Sequence, residues 1–409
     1  MNEVSLESAI SKYKTPFYVF DMDLLAAQIS KIRIALGDKV ELCYAMKANP
    51  FLIKELQGLI DYYEVCSPGE FKICERADIN PNKIVMSGVY KNAKDIEYAL
   101  KQYGNQIIYT IESLSQWQIL EQYTLKHQIN VQVLLRLTSG NQFGMDETLI
   151  RQIIQNSNHT FINIEGIQYF SGTQKKSVKK LENELTRLDQ FCNELNSQYN
   201  FTVKKLEYGP GLPVFYFEEE QNEEDFMLDS LSKLINNLTF GGKVSLEMGR
   251  FIAASCGSYV TSVVDMKTNQ KEGYCIVDGG MHQLNYYGQM LAMKRPPIIH
   301  WNKRDGKTSE WTVCGSLCTI HDVLVKQYPF TDLQIGDKLI FEKTGAYSVT
   351  EGISLFLSRD LPQVLLYSDK DKFRVARNSF PTDTLNYFDC SANETRKETM
   401  DSIPVFSVE

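Results

Sequence analysis

The chain has 409 residues, room for one large unit or two domains, and its 43 Lys and Arg against 51 Asp and Glu leave a charge of −8, without the basic surplus expected of a nucleic-acid binder. With 43% hydrophobic and 23% charged residues wholesale disorder is excluded, nine scattered cysteines fit reduced thiols better than a disulfide framework, and five histidines are too few for a multi-histidine metal centre. No apolar run approaches the roughly 18 residues of a membrane span, and Met1 to Ile10 lacks the basic and apolar regions of a signal peptide, so a cytoplasmic protein is expected.

Phe17 to Asp21 reads as a short strand. Apolar strand-sized runs then alternate with amphipathic stretches, the pattern of βα units and a parallel sheet. The runs are Val40 to Ala45, Tyr62 to Cys66, Lys83 to Met86, Gln106 to Ile111, Asn130 to Leu137, Ile162 to Tyr169, Val203 to Tyr208 and Lys243 to Leu246. Between them, Phe51 to Ile60, Pro68 to Ala77, Asn92 to Tyr103, Leu114 to His127, Asp146 to Asn156, Val178 to Tyr199 and Glu224 to Leu238 carry apolar residues at three- and four-residue spacing and are expected to be helices. Eight such units suggest a TIM barrel, although a doubly wound open sheet shows the same alternation. Beyond Arg250 the texture turns to β-branched and aromatic stretches (Ser258 to Asp265, Tyr274 to Val277, Lys338 to Phe341), so a mostly β domain is expected over residues 1–23 and 251–409, with the barrel over 24–250. The first strand is assigned to the β domain because it falls outside the eight-strand count. The polar tail from Asp389 to Ser402 is expected to be poorly ordered.

Reactive groups of a TIM barrel sit where its strands end. The first barrel run ends in Tyr44-Ala45-Met46-Lys47-Ala48-Asn49-Pro50. Read locally, Lys47 is a snorkelling surface lysine or a partly desolvated amine suited to Schiff-base chemistry. Together with Glu64-Val65-Cys66-Ser67-Pro68-Gly69-Glu70, however, this stretch resembles the fold-type III pyridoxal phosphate (PLP) decarboxylases, the family of diaminopimelate and ornithine decarboxylases, and the likeness continues in order from about Thr15 to Tyr367. It implies a (β/α)8 barrel with a β C-terminal domain, PLP carried by Lys47, and Glu64 at the family's usual Asp position near the cofactor.

The resemblance also implies cofactor contacts at later strand ends. Arg136 matches an arginine near the cofactor face, followed by Phe143-Gly144; Gly209-Pro210-Gly211 stands where the family has a three-glycine phosphate loop, its proline removing one N–H donor. Alone, that tripeptide is only a turn. Glu247-Met248-Gly249-Arg250 resembles Glu-Pro-Gly-Arg, in which the glutamate pairs with the pyridine nitrogen while Gly249 and Arg250 help hold phosphate. Phe170 replaces the family's ring-stacking histidine, Thr173 its phosphate-binding serine, and Gly345-Ala346-Tyr347 matches a Gly-Ala-Tyr whose tyrosine reaches phosphate.

Gly315, Cys318 and Asp322 match the family's Gly-x-x-Cys-x-x-x-Asp motif, whose cysteine crosses a homodimer interface and helps protonate the product. Cys314, Cys318 and His321 also resemble half of a metal site, but no second cluster accompanies them. Thr319 follows the cysteine where diaminopimelate and ornithine decarboxylases place the acid that recognises a distal ammonium, and Tyr286-Tyr287 stands near the position of an Arg-Pro pair. With Thr319 and Asp322 as substrate contacts, these departures look more like the natural-product and siderophore branch, which acts on acylated or carrier-protein-linked amino acids. The alternatives are a diaminopimelate decarboxylase with an altered pocket and a non-catalytic PLP-binding regulatory protein. Alanine racemases share the domain alternation but lack the cysteine motif.

Overall fold

The computed structural model describes residues 3–157 and 161–387; the expectation for the Asp389 to Ser402 tail lies outside them. Helix α1 (Glu3–Lys12) leads into β1 (Phe17–Asp21), and α2 (Met22–Leu36) into β2 (Val40–Ala45). The chain then alternates: β3 (Tyr62–Val65), α3 (Pro68–Arg76), β4 (Ile84–Met86), α4 (Ala93–Tyr103), β5 (Ile108–Ile111), α5 (Leu114–His127), β6 (Val131–Leu137), α6 (Glu147–Asn156), β7 (Ile162–Phe170), α7 (Val178–Tyr199), β8 (Lys205–Gly209), α8 (Glu224–Asn236) and β9 (Lys243–Met248). Strands β2 to β9 close into a parallel barrel, completed where Val40–Tyr44 pairs with Val244–Met248. The open doubly wound alternative is thereby excluded.

The helices form where the periodicity placed them, for the expected reason. In α7 Leu181, Leu185, Leu188, Cys192 and Leu195 fall on one face and are all buried, while Ser177 caps the first turn. The exception is Phe51 to Ile60, which forms one 3-10 turn (Pro50–Leu52) and then irregular turns instead of a helix. Its apolar face is nevertheless buried, with Leu52, Ile53, Leu56 and Ile60 in the core. The segment is pinned at both ends, by Asn49 Oδ1 accepting from Phe51 N at 3.1 Å at its start and by Lys83 Nζ donating to Ile60 O at 3.1 Å and Arg33 Nη2 donating to Leu59 O at 3.2 Å at its end, and Gly58 turns left-handed at φ 86°.

After β9, a short helix α9 (Arg250–Ala253) passes into β10 (Gly257–Asn269), β11 (Glu272–Val277), β12 (Ile298–His300), β13 (Thr308–Cys314), β14 (Val323–Thr331), β15 (Lys338–Glu342), β16 (Gln363–Ser368) and β17 (Lys372–Arg377). These strands and β1 form one nine-stranded sheet, with β1 antiparallel to β10 and parallel to β16. The α1 helix and several of these strands had no counterpart in the sequence pattern. Among the described residues no helix is long and apolar enough to cross a membrane.

Inside the barrel the period of two sets the layers. Cys43, Val85, Ile108 and Leu134 form an apolar plug. Below it Lys205 pairs with Glu41 at 2.8 Å; the same inward row of β8 then presents Glu207, and at its end Gly209. The carboxylates above the plug belong to the site.

Candidate active site

Lys47 leaves β2 in a 3-10 turn, Met46–Ala48, and strands β3 and β9 flank it on either side. Each contributes an inward carboxylate: Glu64 accepts a short contact from Lys47 Nζ, and Glu247 Oε1 lies 3.1 Å away. Both carboxylates are buried, whereas the Lys47 side chain is 38% exposed and opens to the barrel mouth. Burial disfavours the Lys47 ammonium, but Glu247 and Glu64 outweigh it and hold the amine well above its ordinary range. Burial raises both carboxyls; the Lys47 charge reverses this at Glu64, held down to about 2, while Glu247, with Glu64 beside it, is pushed up to about 8. One cation thus serves two adjoining acids.

Lys47, Phe170, Thr173, Gly211, Glu247, Gly249, Arg250 and Tyr347 line one cleft. Gly209 lies beneath the Phe170 ring, where an added Cβ would come within 2.4 Å of Cδ2, and Gly211 turns at φ 58° against Gly172 O. Tyr347 arrives from the β domain. Its N–H donates to Ala48 O at 2.7 Å and Asn49 Nδ2 donates to Gly345 O at 2.9 Å, so the Gly-Ala-Tyr segment is tied to the turn that carries Lys47. Tyr347 holds a left-handed φ of 69°, which a bulky residue adopts only when its surroundings impose it.

Arg250 shows what the far end of the cleft is built for. It is buried; Nη1 donates to Tyr216 Oη at 3.1 Å, Nε has no partner, and the rings of Tyr347 and Tyr287 lie 4.3 and 5.0 Å from its guanidinium carbon. Among the described residues no carboxylate pairs with it. A buried cation with an orphaned N–H, beside two glycines and a threonine, fits an anion such as a phosphate ester. With Lys47 and two acids at the other end, these residues fit PLP.

Four expected site residues lie elsewhere. Arg136 does not line this cleft: its Nη1 pairs with Glu112 Oε1 at 3.0 Å and its guanidinium stacks on Phe143 at 4.9 Å. Cys318 is exposed and Thr319 half-buried on a tight turn from Leu317 to Asp322, also away from the cleft of the same chain. Asp322 has both oxygens committed within its own chain, accepting from Met281 N and Leu317 N at 2.7 Å each. Both oxygens thereby shape the cysteine turn.

Other residues emerge only from the structure. Glu207 is fully buried, accepts from Gln168 Nε2 at 2.7 Å, and has its carboxyl pushed up to about 7 by burial. Its position two residues before Gly209 in an inward row was the available signal. Cys66 Sγ lies 3.8 Å from Lys47 Nζ. Lys91, half-buried and donating to Gly88 O at 2.7 Å, has its amine pulled down to about 8 by desolvation, which Glu112 opposes.

A lysine flanked by acids at the C-terminal mouth of a (β/α)8 barrel, with an anion pocket closed by a β domain, defines a fold-type III pyridoxal phosphate enzyme. Residues 22–254 match the family model for the pyridoxal binding domain of pyridoxal-dependent decarboxylases, and the chain belongs to that family. It is 28% identical over 394 residues to diaminopimelate decarboxylase of Helicobacter pylori (91% of this chain, 94% of the relative). It is 24% identical over 400 residues to L-glutamyl-(BtrI acyl-carrier protein) decarboxylase of Niallia circulans (90% and 92%). The fold matches the crystal structure of Helicobacter pylori diaminopimelate decarboxylase complexed with L-lysine, with TM-score 0.80, 24% identity and 96% and 100% of the two chains covered.

Proposed function

We propose that this chain removes the α-carboxylate of an amino acid whose distal end is acylated or carrier-linked, in a biosynthetic route, and works as a homodimer. The observation that carries the site reading is the cleft itself, with Lys47 between Glu64 and Glu247 at one end and the unpaired Arg250 at the other. PLP, when bound, supplies the electron sink that takes the pair left as carbon dioxide departs. Lys47 Nζ would anchor it, Glu64 would orient that amine, and Glu247 would pair with the pyridine nitrogen. Arg250, Thr173, Tyr347 and the backbone of Gly209, Gly211 and Gly249 would hold the phosphate, and Phe170 would stack on the ring. Lys47, or Cys318 reaching in from a second copy, would return the proton to carbon; an exposed thiol on a hydrogen-bonded turn suits that part.

The substrate reading rests on two departures. Thr319 offers no charge to a distal ammonium, and Tyr286 and Tyr287 are both occupied, one donating to Glu342 O at 2.6 Å and the other lying over Arg250. The resemblance to a decarboxylase of carrier-linked glutamyl groups points the same way. The test is carbon dioxide release from meso-diaminopimelate, free amino acids, and γ-acylated or thioester-linked glutamate. Release only from modified glutamate supports the reading, and turnover of diaminopimelate makes that the substrate. PLP uptake with no release from any of them favours a binding protein.

A further inference from the structure

Two of the strand ends that make the anion pocket are Ser171–Thr173 after β7 and Gly209–Gly211 after β8, and Pro210 gives no N–H with which to tie them together. Behind the pocket lies a charged group unused by the chemistry above. Lys175 has a side chain only 1% exposed, and its Nζ lies 2.6 Å from Glu184 Oε2 on α7 and 3.4 Å from Gly209 O. Glu184, itself 9% exposed, also accepts from Tyr208 Oη at 2.7 Å and takes a short hydrogen bond from Ser171 Oγ. One carboxylate therefore grips the residue after β7, the residue before Gly209, and a buried ammonium. Neighbouring backbone bonds continue the tie: Lys175 N donates to Gly211 O at 2.9 Å, Val214 N donates to Gln174 Oε1 at 2.7 Å, and Gln174 Nε2 donates to Val214 O at 2.9 Å. Gln174 holds a left-handed φ of 56°, a conformation its paired side-chain bonds impose.

We infer that the Glu184–Lys175 pair is a positioning device for the cofactor's phosphate, holding these two strand ends of the anion pocket at the spacing a phosphate needs. The inference rests on the proposal that this cleft takes PLP. A buried ion pair of this kind adds little net stability over apolar residues of similar size, and its best-attested use elsewhere is to fix register between segments. Neither residue lines the cleft, so both act through Gly209, Gly211 and Ser171.

The experiment compares binding of pyridoxal phosphate and pyridoxal, which differ only in the phosphate, to the cofactor-free wild type, Glu184→Gln and the milder Tyr208→Phe, which deletes one hydroxyl. Titrations are followed by fluorescence, with the thermal midpoint of each cofactor-free protein as a control for folding. The expected result is a dissociation constant for pyridoxal phosphate raised at least ~10-fold in Glu184→Gln and ~3-fold in Tyr208→Phe, from the usual worth of charged and neutral hydrogen bonds, with that for pyridoxal unchanged. If both ligands weaken equally, or neither does, in a Tyr208→Phe protein that keeps its thermal midpoint, the inference is overturned and the pair is structural only. A wild type that prefers neither ligand, or binds neither, overturns the cofactor reading itself and the inference with it.

Discussion

Replacing Glu207 with Gln tests the electrostatics of the barrel interior. Glu207 is fully buried, and burial raises its carboxyl from 4.5 to about 7; Lys205 opposes the shift and Glu64 adds to it. A carboxyl raised on folding stabilises the protein fully below its unfolded value, and that contribution is lost as pH climbs through the folded value. At 1.36 kcal/mol per pH unit, ionised Glu207 costs the folded state about 3 kcal/mol above pH 7. Glutamine keeps an acceptor for Gln168 Nε2, and its NH2 replaces Oε2, which has no partner; Gln168 Oε1 beside it also lacks one. Glu207→Gln should therefore match the wild type in unfolding free energy near pH 4 and exceed it by an amount approaching about 3 kcal/mol by pH 7 to 8. The assay is a set of paired urea titrations of the cofactor-free proteins across that range, in which titrating groups remote from Glu207 cancel. A difference that does not change with pH, or a variant that loses ground as pH rises, would refute the assignment of a strained carboxyl here.

Arg250→Met removes the orphaned guanidinium and should weaken PLP binding ~10- to 100-fold, from the 1.5–3 kcal/mol of a charged hydrogen bond, with little loss of thermal midpoint; retention of the cofactor through gel filtration checks it. Lys47→Ala should leave no borohydride-fixed cofactor mass on the intact protein, and an adduct in the variant would place the anchor on another lysine. Cys318→Ala should slow or divert product formation while PLP stays bound, so unchanged turnover and product would remove the thiol from the mechanism. Gly345→Ala would bring a Cβ to 1.9 Å from Ala253 O; it should lower stability by about 1–3 kcal/mol and loosen PLP by displacing Tyr347, both read from thermal scans with and without cofactor.

By itself the sequence determined the alternation of eight strands and helices, the change of texture after Arg250, and the short stretches around Lys47, Gly209, Glu247 and Tyr347. Each of these is written locally: burial on one face imposes a period of two or 3.6, and a residue at a strand end inherits its place at the barrel mouth. Even where the pattern misled, at Phe51 to Ile60, it marked the buried face and missed only that the segment is pinned at both ends. Only the tertiary structure decided which charges meet. Lys47 finds Glu247 across 200 residues because β2 closes the barrel against β9. Arg136 is matched by Glu112 on the adjoining side of the mouth, the oxygens of Asp322 are consumed by its own loop, and Glu207 and the Glu184–Lys175 pair become sites of consequence once burial strips away their water. Pairing and desolvation depend on register and closure between distant segments, and no local pattern of apolar and polar residues records them.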